Sequence, residues 1–573
     1  MALSDKERLE LLTTPGAAFP LQDRTVDGHT YQVFDREPRT LRNAFAEMRT
    51  HGSARAIGYR DEYWSYDDLW SEMTAVAHAL RDRHGVVAGD RVGIAMRNYP
   101  EFVMIFGAIQ LLGAVAVPFN AWLKGPELAE LVVEAAPVAL FADRERVELA
   151  RGLEFAGGAT ATTLVGVRCP ATEGVVAYED LLTDRRPAAS SHAPEVEVSP
   201  DDISTILFTS GTTGRPKAAA HSHLNHSASL LNKLIRAVKV DVPADGGPVR
   251  VSPAPHSCKL VTFPFFHIAG INTMYNSLYA GQTLILMYKW DAHEAIRLVE
   301  QEKVNEISGP PFIVQTFLEA AREGSADLSS LRVLGMGGAA APLGVIAEAR
   351  KVLGPDILPR TGYGMTETTS GVVAISGADF EQRPTSVGRL LPTAEIGIMD
   401  NNGELLGVDE EGEVAFRGPQ VIRGYAGIAD SPDFRDGWFF TGDIGRVDKD
   451  GFVYLVGRVK DIVIRGGENI NCSEVEACLS SHPHVIEAAA LGAPHPTLGE
   501  ELVAIVHVHT DSTVDVDELR DYAAERLAKF KVPVRIAIIH EFLPRTASGK
   551  VIKRELIGQL GLGWLLGPET ASA

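Results

Sequence analysis

The 573-residue chain is too long for one ordinary core, so several lobes are expected. Its composition, 45% hydrophobic and 23% charged, is that of a globular protein in water. A formal net charge of −21 argues against generic binding to nucleic acid or anionic membranes, since both want a basic face.

In chain order, MALSDKERLE is charged from residue 5 and does not read as a secretion signal. RVGIAM (91–96), a helix from Pro100, AVAVPF (114–119), ELAELVVEAA (127–136) and VALFAD (138–143) read as β-α-β-α-β. The charge-free run 102–119 is the one stretch that could pass for a membrane span, but Gly113 interrupts it and Pro118 ends it. A buried helix running into a strand is the better reading, with no integral membrane segment. A second alternating series starts at TLILM (283–287), where Asp291 can cap AHEAIRLVEQE, and runs through VNEISG and FIVQTFLEAAREG to LRVLGMGG (331–338). After about residue 385 the texture changes to short strands split by DG and EG turns, which predicts an antiparallel or barrel-like unit. Beyond Arg458 a compact α+β tail follows. SEVEACL there carries a capping-box pattern (Ser473, Glu476), ELVAIVHVHT reads as a strand, and DELRDYAAERLAKF as a helix stopped before Pro533. The expected fold class is α/β: two βα-layered subdomains plus a small β-barrel-like unit over residues 1–457, and an α+β domain over 458–573. Cys169, Cys258, Cys472 and Cys478 form no CxxC pair and no metal-ligand spacing, which fits reduced thiols in a cytoplasmic protein. A homodimer is the commonest closed assembly, and nothing in the residues goes further.

One loop carries unusual chemistry. TSGTTGRPK follows the apolar run ISTILF and brings together Thr209, Ser210, Gly211, Thr212, Thr213, Gly214 and Lys217. Successive N–H groups of a Gly-rich turn converge on an anion, hydroxyls add donors, and lysine adds a full charge. A surface linker is the bland alternative, but the Pro216-Lys217 ending is stiff and charged. The loop is not GxxxxGK[ST], because Ala218 follows the lysine. His221, His223 and His226 lack HExxH-like spacing and receive no metal role.

The loop resembles the signature of the adenylate-forming superfamily of acyl- and aryl-CoA ligases, nonribosomal-peptide adenylation domains and firefly-type luciferases. Further motifs in the same order extend the resemblance over nearly the whole chain: PFFHIAG (264–270), GGAAAP (337–342), YGMTE (363–367), TGD (441–443), GRVKDIVIRGGENI (457–470) and PRTASGK (544–550). The resemblance implies that residues 209–217 and Thr366 contact ATP phosphates, that Glu367 helps to hold Mg²⁺, and that Tyr363 lies against the adenine. It implies that Asp443 binds the ribose, that Arg458 reaches the nucleotide, and that Lys550 is the lysine needed for adenylation. It implies an acyl pocket near His267, Gly338, Ala339 and Gly364, a mobile C-terminal domain hinged at Lys460, and a thiol tunnel at Gly466, Gly467 and Glu468. ATP, Mg²⁺ and CoA are the implied cofactor and co-substrates. The implied reaction joins a carboxylic acid to CoA through an acyl-adenylate; transfer to a carrier-protein thiol or an amine is the alternative. A non-enzymatic remnant is disfavoured by intact Lys217, Glu367, Asp443, Arg458 and Lys550. The pocket segments 263–272, 337–341 and 361–365 are apolar or small and lack an Asp for an amino group, which suits a fatty, alicyclic or aromatic acid.

Overall fold

A computed structural model describes residues 5–26, 28–150, 162–182, 192–209, 216–242, 249–253, 256–338, 344–459, 461–465, 468–509, 512–546, 549 and 551–566. The first βα series builds a seven-stranded sheet in the order Lys217–Ser222, Ile203–Thr209, Val115–Pro118, Arg91–Ala95, Ala139–Asp143, Thr163–Val167, Val176–Ala177. All neighbours are parallel except the first pair, whose antiparallel register sets Thr209 opposite Lys217. The central strands are buried on both faces, as their unbroken apolar runs require. Helix Pro100–Leu111 is buried along its whole length, and Gly113 at φ 67° turns the chain into Val115–Pro118. Among the described residues no helix is long and apolar enough to cross a membrane.

The second series forms the parallel part of a larger sheet: Arg55–Tyr59, Thr283–Leu286, Cys258–Val261, Glu306–Gly309, Val333–Met336 and Leu358–Met365. Asp291 caps Ala292–Glu302 by accepting the Glu294 N–H at 2.9 Å, as expected. The expected antiparallel unit is present, and it continues this sheet rather than standing as a separate barrel. Ser370–Ser376 pairs antiparallel with Leu358–Met365, and Ser386–Leu390, Val453–Arg458, Trp438–Val447, Gly412–Arg417 and Glu395–Met399 follow. The main apolar core lies between the two sheets, where Phe102 and Phe106 of one layer meet Phe265, Met274 and Leu284 of the other.

The strands after Arg458 make a third sheet: Glu468–Asn471, Ile462–Arg465, Gly499–Val508 and Val485–His495, with Arg535–Ile539 parallel to Gly499–Val508. It touches the larger body at helix Pro311–Glu323, where Gln315 donates to the Ile486 carbonyl at 3.3 Å and Arg545 lies over the Phe312 ring. Two local expectations are corrected here. The helix Cys472–Ser480 is capped by Asn471, which accepts the Ser473 N–H at 3.0 Å, and Ser473 and Glu476 form no box. Glu476 instead accepts the Ala490 N–H and pairs with Lys553 at 2.6 Å, a tertiary use that outbids the local one. The helix expected over 517–530 ends at Ala524 and gives way to a 3₁₀ turn, Lys529–Lys531.

Asn471 also donates to the Val456 carbonyl at 2.6 Å and so ties the third sheet to strand Val453–Arg458. Asn471→Ala should cost about 1–2 kcal/mol for the lost cap, and Ser473→Ala less than about 0.5 kcal/mol. Urea titration of both variants checks this; equal effects would restore the Ser473 box.

Candidate functional site

The YGMTE motif sits where strand Leu358–Met365 ends in the one-turn 3₁₀ segment Thr366–Thr368. Thr369 (φ 50°) and Ser370 (φ 79°) then hold left-handed backbone, which is unfavourable for a β-branched residue above all. The turn is held by hydrogen bonds to every carbonyl along it. Thr368 Oγ1 donates at the Met365 and Ser370 carbonyls. His221 Nε2 donates to Thr366 O at 2.8 Å, the Ile422 N–H to Glu367 O at 2.8 Å, Gln420 Nε2 to Thr368 O at 3.2 Å, and Ser229 Oγ to Thr369 O at 2.9 Å. Gly364 is required by the same turn, since a Cβ there would lie 2.1 Å from Ser370 O. Its small size therefore has a backbone reason independent of any pocket.

On one side of the turn the Glu367 carboxylate accepts from Tyr425 Oη at 2.9 Å, and the same hydroxyl lies 3.2 Å from Asp433 Oδ2. Lys217 pairs with Asp433 and lies over the Tyr425 ring, 4.7 Å from its centroid. Burial raises the Glu367 pKa, the Asp433 charge adds to the rise, and Tyr425 and Lys217 oppose it. This group of two carboxylates, one ammonium and one phenol is suited to exchange partners with a phosphate-bound cation. Magnesium fits the donor set, because it takes one or two carboxylates together with phosphate oxygens.

Tyr363, on the same strand, donates to Asp443 Oδ2 at 2.5 Å, and burial beside that carboxylate raises its pKa. Arg458 stands opposite Asp443 across the antiparallel pair, with Nε 2.6 Å from Oδ1. Three residues widely spaced in the chain are thus joined by a hydrogen bond and an ion pair. The structure therefore brings together Lys217, Tyr363, Thr366, Glu367, Asp443 and Arg458, with Thr209 at the mouth of its loop. Tyr425, Asp433 and Gln420, between the YGMTE and TGD motifs, were missed, and His221 was noted only as lacking metal-site spacing; its place behind the turn was not foreseen. Gly338 (φ 80°) lies two residues after strand Val333–Met336. His267 caps helix Ile268–Tyr279 by accepting the Ala269 N–H at 3.2 Å, and burial lowers its pKa to about 4. Glu468 is exposed at the start of its strand. Ser210, Gly211, Thr212, Thr213, Gly214, Ala339, Lys460, Gly466, Gly467 and Lys550 lie outside the described residues.

The histidines behind the turn are fully buried. His223 Nδ1 accepts the Leu41 N–H at 3.1 Å, and His226 bonds Thr205. Among the described residues no group of three His, Cys, Asp or Glu side chains could hold a metal ion.

The AMP-binding enzyme family matches residues 44–426, and the AMP-binding enzyme C-terminal domain matches residues 474–550. The chain is 34% identical to a feruloyl-CoA synthase of an Amycolatopsis species over 519 residues, covering 90% of this chain and 97% of that one. It is 30% identical to the long-chain-fatty-acid–CoA ligase FadD13 of Mycobacterium tuberculosis, covering 89% of this chain and 96% of that one. The crystal structure of ATP-bound MatB from Rhodopseudomonas palustris superposes with a TM-score of 0.77 at 27% identity, covering 90% of this chain and 98% of that one.

Burial lowers the His221 pKa to about 4 and that of His223 to about 3. In the unfolded chain both take a proton at about pH 6.5, so between these values the unfolded state binds more protons than the folded one. Stability is then complete above about pH 6.5 and falls toward pH 4, each imidazole contributing up to about 1.4 kcal/mol per pH unit. Urea midpoints at pH 7, 6 and 5 should fall progressively. His223→Asn, which keeps an acceptor for Leu41, should flatten the slope; an unchanged slope would contradict neutral burial of His223.

Proposed function

The chain belongs to the AMP-binding enzyme family, and from that premise we propose that it is an ATP-dependent carboxylic acid–CoA ligase. The observation that carries the reading is the pairing of the Lys217–Asp433–Tyr425–Glu367 group with the Tyr363–Asp443–Arg458 chain around one turn. The first has the charges for a metal-bound polyphosphate, and the second has the donors and acceptors for an adenosine. The relatives named above act on an aromatic and on a long-chain acid at similar identity, so identity alone does not choose the acid.

A carboxylate does not acylate a thiol directly, because its oxygen is a poor leaving group. In the proposed first step a carboxylate oxygen attacks the α-phosphorus of ATP and pyrophosphate leaves. Both reactants are anionic, so the chain's task is positioning and charge neutralisation. Loop 209–217 and Lys217 hold the leaving phosphates, Asp443 and Arg458 fix the nucleoside, and Lys550 bridges carboxylate and α-phosphate. Mg²⁺, held through Glu367 and the phosphates, supplies further neutralisation when bound. A donor aimed at developing charge is worth about 3–4 kcal/mol. In the second step the thiol sulfur attacks the acyl carbon, and AMP leaves with the bonding pair of the broken C–O bond. For that step Lys550 is withdrawn: residues 458–573 act as a unit that turns about Lys460 and presents Gly466, Gly467 and Glu468 to the thiol. The acid has a hydrophobic body, in keeping with the apolar segment 263–272, although Phe265 and Ile268 of that segment are packed in the main core.

Mass spectrometry of the protein with ATP, Mg²⁺ and a pool of carboxylic acids, with and without CoA, tests the reading. AMP and an acyl-CoA that forms only with CoA are expected. AMP without an acyl-CoA would move the acceptor to a carrier protein or an amine. Lys550→Ala should lower adenylation at least about 100-fold while sparing thioester formation from supplied acyl-adenylate; equal loss of both half-reactions would refute the withdrawal of the lysine.

A further inference from the structure

A basic cluster lies on the far side of the same turn, and no step above uses it. Lys259, Glu306, Ser308 and Arg360 occupy one face of the parallel strands, with Lys259 directly opposite Glu306. Glu306 pairs with Lys259 at 3.4 Å and with Arg360, which also donates to Ser308 Oγ at 3.0 Å. The guanidinium crosses over Gly335, where a Cβ would lie 2.3 Å from Ser308 Oγ and 3.0 Å from Arg360 Nε. Lys233, from helix His223–Ala237, faces this group and reaches Ser370 Oγ at 3.4 Å. Among the described residues no carboxylate lies within 4 Å of the Lys233 ammonium.

Three cations therefore face one carboxylate. Glu306 is held ionised: burial alone would raise its pKa, and Arg360 and Lys259 more than offset that. Lys233 is compensated only in part: Glu306 favours its charge, but burial and the neighbouring Arg360 and Lys259 charges outweigh that and push its pKa down to about 7. An enclosed cation that shares its one carboxylate with two other cations works against folding, and a Leu or Met would fill the same space at no electrostatic cost. Lys233 and Lys259 are surrounded by protein yet keep partial access to solvent, as do His267, Tyr363 and Glu367. The position is close to the reaction. Arg360 lies three residues before Tyr363 on one strand, about 10 Å away, and Ser370 closes the turn that carries Glu367. The phosphate-side cation, Lys217, stands with Glu367, Tyr425 and Asp433 instead.

We infer that the acyl end of the site receives a second carboxylate. The acid that is activated is a dicarboxylic acid, whose far carboxylate is held by the Lys233 ammonium with Arg360 and Ser370 beside it. The inference rests on the ligase reading and refines its substrate class: a hydrophobic body that ends in an anion.

The test compares kcat/KM for AMP release with hexanoate, octanoate and decanoate against the α,ω-diacids of equal length, and with cinnamate against 4-carboxycinnamate. The native enzyme should prefer the best diacid over its monoacid by about 10- to 100-fold, the worth of a charge-assisted hydrogen bond. Lys233→Met should bring that ratio close to one, and Lys233→Arg should retain most of it. The ratio is insensitive to partial misfolding, which lowers both rates together. A native enzyme that turns over monoacids as well as every diacid, or a Lys233→Met variant that slows both alike, would overturn the inference and leave the ligase reading standing. No AMP with any acid would overturn the ligase reading itself.

Discussion

Thr369 and Ser370 hold left-handed backbone that costs about 1–3 kcal/mol each, and the candidate site depends on the hydrogen bonds that offset this cost. The donors come from three separate parts of the chain: His221 and Ser229 from the segment after the Gly-rich loop, Thr368 from the turn itself, Gln420 and the Ile422 N–H from the antiparallel extension. Asn232 in turn holds Gln420 through its amide at 2.6 Å. The turn is therefore the point at which both large sheets and their covering helix agree on one geometry. A functional group placed there is fixed by packing over hundreds of residues, as a preorganised electrostatic site requires.

The turn also separates two fields. On one side Lys217, Asp433, Tyr425 and Glu367 form a nearly balanced group ready to exchange partners. On the other, Lys233, Lys259 and Arg360 outnumber Glu306, so charge is missing until something anionic arrives. Burial acts in opposite directions on the two: it makes the Glu367 carboxylate reluctant to ionise and the Lys233 ammonium reluctant to keep its proton. Both strains are relieved by charge brought in from outside, a cation in the first case and an anion in the second.

Much of this was legible in the sequence, because the relevant signals are local. The unbroken apolar strands, the Pro100 and Asp291 helix starts and the change of texture after residue 385 all follow from spacing and turn chemistry. Thr209, Lys217, Tyr363, Glu367, Asp443 and Arg458 could be singled out from motifs, and the structure gathers them. Long-range choices were not legible. The sequence pattern pointed to Ser473 for the cap, but Asn471 takes it, held also by the Val456 carbonyl, while Glu476 is used by Ala490 and Lys553. Tyr425 lies 58 residues from its Glu367 partner, and Lys233 lies 137 from Ser370. No period or motif joins such pairs. The segments 263–272, 337–341 and 361–365 read as apolar, while Lys233, Lys259 and Arg360 come from a helix and strands outside them.

The central claim is that a carboxylate oxygen attacks the α-phosphorus of ATP. Turnover of an acid labelled with ¹⁸O in its carboxyl group, followed by mass spectrometry of the nucleotide, tests it most directly. One ¹⁸O atom should appear in each AMP released, since the oxygen that bonds to phosphorus stays with it when the thiol takes the acyl group. Unlabelled AMP, or ADP as the nucleotide product, would contradict the account.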